Sequence, residues 1–168
     1  MADKTLVIID MQDFFDRIPK DHLIQNMCDL IRHARRQRWG IMLVEFDRYG
    51  PTTQRLMDAL GEYDHVAIVK KNCDDGGEEV IQCLDSNPQW SRHCLVCGIY
   101  GDACVRETVC GMYNADPLVE IDVVTDLVVP QYVSKTRILG KQLEREVRLA
   151  ELQIPNMAER MIHGWVEL

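Results

Sequence analysis

An aspartate, a lysine and a cysteine each stand just beyond an apolar run in this 168-residue chain. Asp10 ends the run Thr5 to Ile9, and Lys70 ends His65 to Val69. Cys104 lies six residues beyond Gly98, which closes His93 to Cys97. These three types can together perform acyl transfer. A thiolate attacks a carbonyl, a carboxylate takes the thiol proton and returns it, and an ammonium keeps the carboxylate ionised. Gly101 or Asp102 is read as the cap of the next helix, which puts Cys104 in its first turn. Free N–H groups and the positive dipole end there can lower a thiol pKa from about 8.5 to roughly 3.5–7.5. The same N–H groups can receive a developing oxyanion. Lys71 is read as a solvated strand end, and Phe14, Phe15, Tyr49 and Tyr100 as residues lining the substrate pocket.

Such residues need elements to bring them together. Thr5 to Ile9, Ile41 to Phe46, His65 to Val69, His93 to Cys97 and Val119 to Val124 have the continuous apolar character of buried strands. Helical spacing falls between them, clearest in Leu23, Ile24, Met27, Leu30, Ile31 and Ala34, a helix closed by Gly40. Further helices are expected at Thr52 to Leu60, Glu78 to Asp85, Asp102 to Tyr113 and Ser134 to Ala150. Gln153-Ile154 is a candidate sixth strand, and Asn156 to His163 a terminal helix. Regular alternation implies one domain over residues 1–168, a three-layer α/β/α fold with a central, mostly parallel sheet. A Rossmann-like order 3-2-1-4-5, plus the short sixth strand, puts the crevice between strands one and four, beyond their carboxyl ends.

Composition excludes several classes. A net charge of −8 disfavours a nucleic-acid partner. The basic cluster from Arg32 to Arg38 is read as a helix C-terminus whose charge complements the dipole. No apolar window is long enough for a membrane helix, and no signal-like segment precedes the first strand, so a cytoplasmic protein is expected. Seven cysteines form no disulfide pattern. Cys94 and Cys97 fall on opposite faces of one strand, which speaks against a CxxC metal or redox site. A nucleotide-binding Rossmann module is disfavoured because Asp10-Met11-Gln12-Asp13 follows the first strand, where a glycine-rich loop would be needed.

The segments Leu6 to Phe15, Val69-Lys70 with Cys73-Asp74, Gly98 to Thr108 and Val123 to Asp126 resemble the isochorismatase-like, nicotinamidase-related cysteine hydrolases. The resemblance spans roughly residues 4 to 160. It implies a triad of Asp10, Lys70 and Cys104, and a cis peptide between Ile99 and Tyr100 that aims the Tyr100 and Cys104 N–H groups at the substrate oxygen. Members of the nicotinamidase branch hold a metal with an Asp-x-His pair; here Asp47 is followed by Arg48 and Tyr49, so no metal and no cofactor are expected. True isochorismatases lack the cysteine, so Cys104 favours cleavage of a small amide or carbamoyl C–N bond through a thioester. Gly76-Gly77 replaces an aromatic of the family and suggests an altered, flexible substrate wall. The implied partners are a small-molecule amide substrate and further copies of the chain in a homo-oligomer. The rival is a non-catalytic small-molecule-binding protein on the same scaffold.

Overall fold

The computed structural model describes residues 3–15, 21–129 and 148–149. All five residues of β1 (Thr5–Ile9) are buried, as expected of a strand covered on both faces. It lies between β2 (Gly40–Phe46) and β4 (His93–Ile99), parallel to both. β3 (Val66–Lys71), β5 (Glu120–Val129) and β6 (Arg148–Leu149) complete a six-stranded parallel sheet in the order β3-β2-β1-β4-β5-β6. The order of strands one to five is the one the alternation implied.

Alternate side chains of β1 feed two separate cores. Leu6 and Ile8 pack with Met27, Leu30 and Ile31 of α1 (Asp21–Arg36) and with Leu56 of α2 (Gln54–Leu60). Val7 and Ile9 pack on the opposite face with Val80 and Leu84 of α3 (Gly77–Ser86). Val109 and Met112 of α4 (Arg106–Ala115) join that face. Cys97 belongs to the first core and Cys94 to the second, as strand geometry requires, and burial pushes both thiols up to about 12.

Several boundaries differ from the sequence expectation. The helix after β4 opens with a π-helical turn at Gly101–Val105 before α4 begins. β5 runs on to Val129, past the expected Val124. Arg38, not Gly40, takes the left-handed conformation (φ 57°) that ends α1, while Gly40 is already in β2. The sixth strand forms at Arg148–Leu149, where helical periodicity placed the end of a helix. The expected helices at 134–147 and 156–163 and the strand at 153–154 lie outside the described residues. Among the described residues, no helix is long and apolar enough to cross a membrane.

Candidate active site

Asp10 and Cys104 come together because β1 and β4 end side by side. Ile9 is in register with Gly98, and Gly98 (φ 145°) allows an approach no other residue could make: a Cβ there would sit 2.2 Å from the Ile9 carbonyl oxygen. Pairing of β4 with β5 shifts register between Val96 and Gly98, so the chain bends as it leaves the sheet. Asp10 (φ 57°) and Tyr100 (φ 58°) both adopt left-handed backbone at these strand ends. Non-glycine residues rarely do so, and such outliers cluster at functional sites.

The lysine beside Asp10 is Lys71, which corrects the assignment of Lys70. Lys71 Nζ lies 2.9 Å from Asp10 Oδ2, and both side chains are fully buried. The ammonium also donates to the Asp74 backbone carbonyl at 2.9 Å and stands 5.3 Å from the centre of the Phe46 ring. Lys70 points the other way, with its side chain 50% exposed, and pairs with the buried Glu45 carboxylate. Strand alternation is the reason: Val69 and Lys71 face the core, while Ile68 and Lys70 face outward. The apolar run His65 to Val69 hid this, because β3 is an edge strand with a single well-buried face.

Burial pushes the Asp10 carboxyl up from its ordinary value, opposed by the Lys71 charge and by contacts with Cys104 and Lys71. Apart from the ion pair, neither Asp10 oxygen has an aligned hydrogen-bond donor among the described residues. Acceptor capacity therefore remains for a proton arriving from the sulfur. The Cys104 thiol is pushed well above its ordinary value, first by burial and then by the charge of Asp10, with Asp74 adding to the rise. This overturns the expectation that the helix terminus would favour a thiolate. The sulfur faces two carboxylates, and it donates a long hydrogen bond to Asp74 Oδ1 at 3.6 Å. Both effects favour the protonated thiol of Cys104.

The Ile99–Tyr100 peptide is trans, contrary to the cis bond implied by the resemblance. Tyr100 turns the chain by its left-handed conformation instead, and its carbonyl accepts from Ala103 N at 2.9 Å and Val105 N at 3.2 Å.

A cavity of about 400 Å³ opens onto Cys104. Its wall includes Phe14, Phe15, Tyr49 and Tyr100, the aromatics named from the sequence. Phe46, Ala103 and Asp74 also line it and were not singled out. Gln12, buried in the loop after β1, fixes one side of this wall. Its amide donates to the carbonyls of Phe46 (2.9 Å) and Gly50, and its oxygen accepts from Phe46 N at 2.8 Å. Glu45 fixes the same loop by accepting from the Thr52 N–H (2.6 Å) and hydroxyl (2.7 Å). Burial opposes ionisation of Glu45, but hydrogen bonds from Lys70 and Thr52 outweigh it and hold the carboxyl below its ordinary value.

Gly76-Gly77 is not a flexible substrate wall. A Cβ on Gly77 would sit 2.1 Å from Met112 N, and one on Gly76 would sit 2.9 Å from Lys71 Cδ. The first glycine makes room for the buried lysine, and the second lets α3 cross α4 closely. Among the described residues, no cluster of metal-ligating side chains is present.

Comparison with known proteins agrees with this architecture. The family model for the Isochorismatase domain matches residues 4–130. The MAR1 ribonuclease of Caenorhabditis elegans superposes with a TM-score of 0.73 at 18% identity, covering 96% of this chain and 88% of that one. The nicotinamidase of Staphylococcus aureus gives 0.72 at 15% identity, covering 89% and 100%. The N-carbamoylsarcosine amidase of Thermoplasma acidophilum gives 0.68 at 16% identity, covering 89% and 97%. At these identities the structural likenesses show a shared fold. No curated protein matches the sequence.

Proposed function

Because this chain belongs to the isochorismatase family of hydrolases, we propose that it cleaves a small amide or carbamoyl C–N bond, with Cys104 as nucleophile and without a metal. The observation that carries this reading is one arrangement: a buried thiol lining the cavity, beside a buried carboxylate that is itself paired to a buried ammonium.

In the first step Asp10 accepts the Cys104 proton as the sulfur attacks the carbonyl carbon. The backbone N–H of Cys104 receives the oxyanion. As the C–N bond breaks, Asp10 gives the proton to the departing nitrogen, leaving a thioester on Cys104. Water then loses a proton to Asp10 and attacks the thioester, and Asp10 returns that proton to sulfur as the acid leaves. Lys71 keeps Asp10 ionised between these transfers, offsetting the burial that favours the neutral acid. A homo-oligomer in the cytoplasm remains part of the same reading.

Two measurements test it. Purified protein offered a panel of small primary amides and ureido acids should release ammonia, and rapid quenching should trap an acyl adduct on Cys104 by mass spectrometry. A panel without turnover and without adduct would favour the binding-protein alternative. The pH profile supplies the second measurement. Asp10 must be ionised to act as base, and burial raises its pKa above 3.8. Activity should therefore fall as pH drops, with the limb above the range of an exposed aspartate. A rate held flat down to about pH 4 would exclude Asp10 as the base.

A further inference from the structure

The cavity wall is unusual in its charge. Phe15 stacks obliquely on Tyr49 with ring centres 4.5 Å apart, and meets Tyr100 edge-on at 5.2 Å. Phe46 meets Tyr49 edge-on at 5.2 Å, so the four rings form one continuous surface. The Asp74 carboxylate adjoins that surface and, among the described residues, is the charged side chain lining the cavity. Lys71 cannot answer it, since its ammonium is buried and engaged by Asp10 and the Asp74 carbonyl. A ring of this same wall, Phe46, already has a cation 5.3 Å from its centre. Aromatic faces attract cations through their quadrupole, and a nearby carboxylate reinforces that attraction while repelling anions.

Taking the amide-hydrolase reading as its basis, we infer that the cavity selects an amide that carries a positive charge close to its scissile bond, an ammonium or amidinium held between the ring wall and Asp74. A substrate with a carboxylate in that place would have to approach Asp74 with no cation on the described wall to receive it. Asp74 is thus a specificity-determining residue, set 3.6 Å from the nucleophile through its Oδ1.

Calorimetric titration with benzylammonium, benzyl alcohol and benzoate separates this inference from turnover, because the three share a ring, differ in charge and contain no amide. Benzylammonium should bind about tenfold more tightly than benzyl alcohol, with benzoate weakest. Asp74→Asn should remove the difference between the first two while leaving benzyl alcohol binding unchanged. Asp74 is exposed, so the variant should fold. Equal affinities, preference for benzoate, no measurable benzylammonium binding, or a preference unchanged in Asp74→Asn would each overturn the inference. Cation preference without amide cleavage would leave it standing and remove the hydrolase reading; amide cleavage without cation preference would do the reverse.

Discussion

Replacing Cys104 with alanine is expected to lower turnover by about a thousandfold or more while the domain still folds. The residue is 5% exposed and borders an open cavity, so removing one sulfur enlarges space that already exists. The stability cost should be about 1 kcal/mol. Cys104→Ser should be nearly as inactive, because a hydroxyl is a far weaker nucleophile than a thiol in the same place and Asp10 must remove a less acidic proton. Steady-state ammonia release gives the rate, and a thermal melt shows that the fold survives. A Cys104→Ala protein with undiminished activity would end the thioester scheme.

The two neighbouring lysines should behave oppositely. Lys71→Met leaves the Asp10 carboxylate buried with its ammonium gone, a loss of the kind that costs roughly 3–5 kcal/mol when a buried pair is broken. Asp10 can escape part of that cost by staying protonated, but it then cannot act as base. The variant should lose about a hundredfold or more in activity, and its remaining acid limb should move to higher pH, since the Lys71 charge is what lowers the Asp10 pKa. Lys70→Met removes a half-exposed partner of the buried Glu45 carboxylate, which keeps its hydrogen bonds from Thr52, so the cost should lie between the about 0–1 kcal/mol of an exposed pair and the roughly 3–5 kcal/mol of a fully buried one. Its rate should stay within a few-fold of the parent. Measuring both pH profiles and both denaturation midpoints decides the matter; a larger rate loss in Lys70→Met would reverse the assignment made from the buried ion pair.

Legibility of this protein in its sequence divides along physical lines. Parallel strands buried on both faces leave long apolar runs, and β1, β2 and β4 were found on that signal. Asp10 and Cys104 stand out in the sequence because they follow the first and fourth apolar runs, where a sheet of this order places its crevice. Which lysine meets Asp10 is harder to read, because an edge strand alternates and the end of an apolar run does not give its parity. Ala67, Val69 and Lys71 share one parity, and Glu45 lies beside Lys70 in register with it. That alternation was present in the chain, whereas the Glu45–Lys70 partnership needed the register.

The chain's own pattern thus determined the sheet order of strands one to five and the positions of the acid and the sulfur. These depend on local apolar runs and on connection rules that hold for any such fold. Tertiary structure alone decided which ammonium meets Asp10, why Gly76-Gly77 must be small, how Tyr100 turns, and which way the Cys104 thiol shifts. Each of those depends on what a side chain meets from distant segments: depth from water, two facing carboxylates, a helix crossing. A helix terminus favours a thiolate in the abstract. In this molecule burial and opposing charge push the thiol the other way.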